Sequence, residues 1–196
     1  ITLSAWVNRR APGASASQGV FSNFRYAAGG NRSYALMRNV DGNFNVLTSV
    51  NGTGDTRRVS TSATFPDNEW HHVVTTIDPA GATAPIIRIW VNGAAQATTG
   101  TNTAGANAAV FQATAEAAQP LIGALERSFQ QGTESFIDAL WFSNGTIRDS
   151  NWIALAYHTQ RPGATALSMG PTQSVSARAL FYPLKNAVYQ LNAAIS

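Results

Sequence analysis

The chain has 196 residues, no cysteine, 12% charged residues and a formal net charge of +3. Without cysteine it forms no disulfide, no thiolate metal site and no cysteine nucleophile. Its apolar runs fall far short of the roughly 18–20 residues that cross a bilayer, so we expect no membrane span. Its arginines are scattered along the chain rather than clustered on one face, which argues against nucleic acid as a partner.

Short β-rich segments separated by turn residues dominate the chain, a pattern typical of an all-β sandwich or barrel. The predicted strands are residues 3–9, 19–24, 33–38, 43–50, 56–63, 70–77, 86–92, 94–99, 120–124, 136–143 and 177–182. Asp41-Gly42 and Asn92-Gly93 are dipeptides that favour tight hairpin turns, because their backbones accept positive φ angles. Residues 100–119 lack periodicity and predict a long loop.

Two strands allow the alternation of faces to be predicted. In residues 86–92, one face carries Ile87, Ile89 and Val91, and the other carries Arg88 and Trp90. In residues 136–142 both faces are largely apolar, with Phe136, Asp138, Leu140 and Phe142 on one side and Ile137, Ala139 and Trp141 on the other. We therefore expect this second strand to be central in its sheet and covered on both sides.

Residues 149–160 break the β pattern and predict a short helix packed on the sandwich. Asp149 or Ser150 is placed to cap its start, and Pro162-Gly163 ends it. An apolar stripe at helical spacing is formed by Trp152, Ile153, Ala156 and Tyr157.

Six segments follow one another in a familiar order: TLSAWVN at 2–8, GVFSN at 19–23, EWHHVVTTID at 69–78, RIWVNG at 88–93, PLIGA at 120–124 and FIDALWFSNGTIRDSNWIALAYHTQ at 136–160. Together they resemble a laminin G-like domain of the concanavalin A-like lectin and glucanase superfamily, in the branch found in large secreted bacterial surface proteins. The resemblance implies a jelly-roll sandwich of two antiparallel sheets, with one short helix near residues 150–160.

The C-terminal end departs from the family pattern. Relatives carry an opening strand before the segment that matches TLSAWVN, and here ALFYPLKN at 179–186 resembles that strand. We therefore predict a sandwich over residues 1–170 and an extension over 171–196 that supplies a strand. The strand completes this sandwich or, as the less favoured alternative, inserts into a neighbouring subunit and links copies of the chain.

The sequence contains few residues arranged as a catalytic or a metal site would require. Glycosidases need two carboxyl groups about 5–9.5 Å apart, and Glu134 and Asp138 stand about 13 Å apart along a strand. Adjacent His71 and His72 point to opposite faces and do not chelate one ion. Calcium is left open, with local oxygens at 41–43 and 67–69, although both segments favour turns.

A binding site is predicted from aromatic and arginine side chains. Arg88, Trp90 and Trp141 are the candidate ligand-binding residues, since sugar rings stack on flat apolar side chains and arginine binds acidic groups bidentately. The other tryptophans singled out, Trp6, Trp70 and Trp152, are assigned to packing.

The function predicted from the sequence is a non-catalytic recognition or adhesion module, extracellular or at the cell surface. Its expected partner is a polysaccharide or a glycoprotein glycan. The alternatives are an assembly module that forms homo-oligomers by strand exchange and, less favoured, a diverged glycoside hydrolase.

Overall fold

The computed structural model describes residues 1–10, 17–23, 33–49, 52, 57–80, 85–102, 120–124 and 135–164. Ile1–Tyr157 form one compact unit, and a second unit comprises His158–Ser196, of which residues 158–164 are described. The predicted strand at 177–182 and the whole extension lie outside the described residues.

Two antiparallel sheets and one helix make up the described fold. The strands are β1 (Thr2–Arg9), β2 (Gln18–Asn23), β3 (Tyr34–Arg38), β4 (Phe44–Thr48), β5 (Arg57–Thr61), β6 (His71–Asp78), β7 (Ile86–Val91), β8 (Ala94–Ala95), β9 (Thr98–Asn102), β10 (Leu121–Ile122) and β11 (Ser135–Ser143), and the helix is α1 (Ser150–Gln160). The five-stranded sheet has the order β11-β1-β6-β7-β8, and the six-stranded sheet has the order β10-β2-β3-β4-β5-β9. The predicted sandwich of two antiparallel sheets with one short helix is confirmed.

The apolar core lies between the sheets and is built from alternate residues of their strands. The five-stranded sheet contributes Leu3, Ala5, Val7, Val73, Ile77, Ile87, Ile89 and Val91, and the six-stranded sheet contributes Val20, Phe21, Tyr34, Leu36, Phe44, Val46 and Val59. The alternation predicted for β7 is confirmed, because its three β-branched residues enter this core while Arg88 and Trp90 leave on the outer face.

The hairpin after β7 forms as its sequence predicts. Asn92 and Gly93 both have positive φ angles, 53° and 79°, which a two-residue turn of this kind requires. A Cβ atom at Gly93 would also lie 3.0 Å from the Tyr157 ring, so glycine lets α1 approach the turn. In the Asp41-Gly42 hairpin only Gly42 has a positive φ, and Asn39 and Asn43 close a longer, three-residue loop.

The segment predicted as one strand over 94–99 is divided between the two sheets. Its first part, β8, pairs with β7, whereas β9 pairs with β5 in the opposite sheet. The prediction of a single strand is therefore wrong, and so is the loop assignment of residues 100–102, which continue β9. The alternation of residues within 94–99 does not indicate this change of sheet, because the two halves of the segment pair with strands of different sheets.

The prediction that residues 136–142 are covered on both sides is wrong, because Phe136 is 51% exposed. Among the described strands β11 stands at the end of its sheet, not at its centre. A β-bulge opposite Ser4 and Trp6 inserts one residue, and Ala139 there has a φ of 46°. Beyond the bulge the faces exchange, so Leu140 packs against the core. Ile137 and Leu140, predicted on opposite faces, therefore share the core face, whereas Phe136 and Trp141 lie on the outer side.

Helix α1 covers part of the outer face of the five-stranded sheet, as predicted. The Asp149 carboxylate caps it by accepting the Trp152 N–H at 2.8 Å. Ile153 is fully buried in a cluster with Val74 and Trp90.

Candidate functional site

An open recess of about 340 Å³ lies where β1, β6 and β11 come together at one end of the five-stranded sheet. We call it the Trp70 recess, and it is lined by Asn8, Arg10, Asn68, Trp70 and Phe136. The antiparallel register explains this grouping: Asn8 of β1 pairs with Phe136 of β11, and the β1 residue before it pairs with His71, next to Trp70.

Two exposed aromatic rings form the apolar part of the recess. Trp70 is 41% exposed and Phe136 is 51% exposed, and their ring centroids lie 6.4 Å apart with an angle of 29° between the planes. The Arg10 guanidinium carbon lies 5.0 Å from the centroid of the Phe136 ring. Exposed rings beside a cation offer a flat surface for a ligand that has both apolar and polar faces.

Polar groups complete the recess. Asn8 and Asn68 contribute amide side chains to the lining, and the side-chain oxygen of Asn8 is buried without a hydrogen-bond partner. Asn68 has a positive φ of 63°, and its backbone N–H donates to the Arg9 carbonyl at 2.8 Å. This bond joins the turn before β6 to the end of β1, and it holds the two sides of the recess together.

A buried ion cluster beneath the recess fixes the same turn. The Asp67 carboxylate accepts from Arg9 Nε at 2.5 Å and Arg9 Nη2 at 2.9 Å, and from Arg38 Nη2 at 3.4 Å. Arg9 and Arg38 are 7% and 1% exposed. The hydrogen bonds from Arg9 are the main reason why the pKa of Asp67 lies below its ordinary value. Asp67 therefore anchors the turn that carries Asn68 and Trp70.

The three residues predicted as ligand contacts lie on the outer face of the five-stranded sheet. Arg88 is exposed. Trp90 is only 7% exposed and packs against Val74 and Ile153 beneath α1. Trp141 lies on β11, three strands and about 14 Å from β7 across the sheet. The fold therefore does not bring Trp141 together with the other two, and their contact with a ligand stays a prediction.

Trp141 belongs to a second aromatic group. Its ring centroid lies 5.0 Å from that of Trp152, and the Arg148 guanidinium lies 5.1 Å from both rings. These contacts attach the first turn of α1 to β11.

The sequence interpretation of Trp70 is wrong. Trp6 and Trp152 do pack in the protein, Trp6 at 5.8 Å from the Tyr157 ring, but Trp70 is exposed at the entrance of a strand. The available signal was its position directly after the turn-forming residues 66–69. Trp70 precedes the first residue of β6, so the alternation of strand faces does not direct its side chain into the core.

Buried Ser4 and His72 resemble a nucleophile and base, because Ser4 Oγ lies 2.9 Å from His72 Nε2. Both side chains are buried, at 3% and 0% exposure, and no carboxylate contacts the other ring nitrogen, which has no partner. The His72 ring instead stacks against Trp6 and Tyr157. The pair therefore serves packing between the sheet and α1.

The free energy of unfolding is expected to fall at acidic pH because His72 is buried in the folded protein. Burial lowers the pKa of His72 from 6.5 to about 4, so the unfolded chain takes up a proton at a higher pH than the folded protein. The contribution is complete above pH 6.5 and is lost as the pH falls towards 4, by about 1.4 kcal/mol per pH unit and about 3 kcal/mol in all. Urea unfolding at a series of pH values measures this loss.

His72→Gln is the variant that tests the assignment, and we expect it to flatten the pH dependence between 6.5 and 4. Burial also lowers the pKa of His71, so His71→Gln is the matched variant and should retain most of the slope. An unchanged slope in His72→Gln would show that another group causes the loss.

The segments considered for calcium do not fit a metal. Asp67 is occupied by two guanidinium groups, and the Asp41 carboxylate accepts from the Asn43 side chain at 2.9 Å within the turn. Among the described residues no group of three His, Asp or Glu side chains is placed to hold a metal ion. Asp138 accepts the N–H of Ala139 at the bulge, and its predicted partner Glu134 lies outside the described residues.

The family model for Laminin_G_3, of the concanavalin A-like lectin/glucanases superfamily, matches residues 1–154. The chain therefore belongs to this laminin G-like family, and the resemblance predicted from its six segments is confirmed. No curated protein sequence matches it.

Solved structures share the fold. The CBM40 of Ruminococcus gnavus IT-sialidase, bound to alpha2,3 sialyllactose, has a TM-score of 0.52 and 12% identity over 80% of this chain and 81% of that chain. The receptor binding domain of botulinum neurotoxin type G has a TM-score of 0.53 and 8% identity over 81% of this chain and 38% of that chain. A native heptameric SAP-like pentraxin from Limulus polyphemus has a TM-score of 0.47 and 12% identity over 80% and 68%. The first two likenesses support the jelly-roll fold.

α1, the helix of the described part of the chain, is too short to cross a bilayer.

Proposed function

We propose that this protein is a non-catalytic, extracellular recognition module that binds carbohydrate in the Trp70 recess. The observation that carries the proposal is the pair of exposed rings, Trp70 and Phe136, beside the Arg10 guanidinium. A sugar has apolar C–H faces and a rim of hydroxyl groups, so it needs a flat apolar surface next to hydrogen-bonding side chains.

The fold supports the same class of function. The Ruminococcus gnavus module, which is similar over 80% of this chain, is described as bound to sialyllactose. The composition, with few charges and many Thr, Ser, Asn and Gly residues, is typical of secreted bacterial modules and supports the extracellular location.

We expect Trp70→Ala or Phe136→Ala to weaken glycan binding by about tenfold or more, because covering a large apolar side chain is worth about 1.5–3 kcal/mol. A glycan array identifies the ligand, and titration calorimetry measures the loss. Thermal unfolding of each variant shows that the fold is retained.

Leu155→Ala is the matched control, since it also removes an exposed apolar group, 58% exposed, but from α1. It should bind as the unaltered protein does. A folded Trp70→Ala variant with full affinity would place the glycan elsewhere, and the candidates would then be Arg88 and Trp141.

We propose assembly by strand exchange as a second function. β11 ends the five-stranded sheet, and no strand of the described residues pairs with its far edge. A strand from the extension over 171–196, either this chain's or a neighbour's, would satisfy the exposed backbone groups. Sedimentation of the full chain over a range of concentrations distinguishes the two arrangements, because only exchange produces oligomers.

A further inference from the structure

We propose that the Trp70 recess selects an acidic sugar, one that carries a carboxylate or a sulfate group, and that Arg10 is the residue that sets this preference. The inference rests on the proposed function and adds the class of ligand. It follows from the charge of the recess rather than from its aromatic rings.

Arg10 is an exposed cation that has no counter-ion among the described residues. Its guanidinium lies against the Phe136 ring, and it forms no salt bridge with a described carboxylate. None of the described side chains that line the recess is acidic. Arginine presents two parallel N–H donors, a geometry that matches the two oxygens of a carboxylate or a sulfate.

The buried cluster behind the recess adds little to this positive charge. Arg9 and Arg38 share the carboxylate of Asp67, and the carboxylate of Asp41 lies close enough to attract Arg38 as well. Glu69, beside Trp70 in the sequence, is exposed to water, where its charge is screened. Among the described residues that line the recess, Arg10 is thus the one charged side chain, and its charge favours an anion.

The remaining groups fit the rest of a sugar residue. The Trp70 ring offers an apolar face, and the exposed side chain of Asn68 offers an amide for a hydroxyl group. A volume of about 340 Å³ is near the small end of ligand sites, which span about 300–1,000 Å³. The recess thus suits the acidic end of a glycan rather than a long polymer chain or a protein surface.

The test compares Arg10→Gln with Arg58→Gln, at an exposed arginine of β5. Both remove one exposed positive charge, so they change the net charge equally, but only Arg10 lines the recess. The probes are matched acidic and neutral glycans: sialyllactose and lactose, polygalacturonate and its carboxyl-reduced form, and sulfated and unmodified dextran. These pairs also separate a carboxylate from a sulfate ligand.

We expect one or more acidic probes to bind and the neutral partner to bind weakly. Arg10→Gln should lose about 10-fold to 100-fold in affinity for the acidic form, the effect of losing a hydrogen bond to a charged group. Arg58→Gln should retain its affinity, and thermal unfolding should show both variants folded.

Other results overturn the inference. Equal binding of acidic and neutral partners that depends on Trp70 but not on Arg10 would refute it and leave glycan binding standing. Equal losses in the two arginine variants would show diffuse charge attraction. No binding to these probes or to a wide glycan array would refute both proposals. So would binding to a glycoprotein that survives removal of its glycans, because the partner would then be protein.

Discussion

Trp90→Ala is expected to lower the free energy of unfolding by about 3–5 kcal/mol, the loss measured when a buried large aromatic is cut to alanine. The Trp90 ring is 7% exposed and fills the space between Val74 of β6 and Ile153 of α1. Alanine leaves a cavity that this tightly packed cluster closes only in part. Chemical denaturation at neutral pH measures the change.

Trp70→Ala is the matched comparison, because the same atoms are removed from a ring that is 41% exposed. We expect a loss of about 1 kcal/mol or less, since substitutions at exposed positions seldom change stability by more. The two variants should therefore lose different properties. Trp90→Ala loses stability, and Trp70→Ala loses glycan binding. A Trp90→Ala protein that is fully stable and unable to bind glycan would instead support the binding role predicted from the sequence.

Asp67→Asn is the second change with a large expected effect, about 3 kcal/mol of unfolding free energy. Removing one partner of a buried ion cluster typically costs about 3–5 kcal/mol, because the remaining charges stay buried without compensation. Here two guanidinium groups would remain, and Arg38 Nε and Nη1 already lack acceptors. The side chain of Asp67 is 16% exposed, which places the effect at the lower end.

The control for this variant is Asp138→Asn, the same substitution at an exposed residue. Its side-chain oxygen accepts the Ala139 N–H, a bond that asparagine also accepts, so we expect a change within about 0.5 kcal/mol. Equal effects of the two substitutions would show that the cluster contributes little to stability.

Asp67→Asn should also weaken glycan binding, although Asp67 does not line the recess. Its carboxylate anchors the turn that carries Asn68 and Trp70 to Arg9. Loss of the anchor frees that turn, and the ligand must then order it on binding. Binding assays below the melting temperature of the variant test this coupling.

Much of the fold could be predicted from local patterns. The β-branched alternation of β7, the Asn92-Gly93 turn and the capped stripe of α1 each depend on residues close together in the chain. Their physical causes, the pleat of a strand, a positive φ and a helical period, act within a few residues. Local patterns could not predict β11, because the bulge at Ala139 exchanges its faces only through pairing with β1.

For the candidate site, too, some features could be predicted from the sequence and others depended on the tertiary structure. The sequence by itself determined the lectin-like family, the two-sheet sandwich and the absence of thiol chemistry. Tertiary structure alone decided which aromatic residues are exposed, leaving Trp70 and Phe136 in solvent and placing Trp90 under α1. The reason is that exposure of a ring depends on what packs over it. Trp90 is covered by Ile153, a helix residue distant in the sequence, so the alternation of residues in β7 does not indicate that Trp90 is buried.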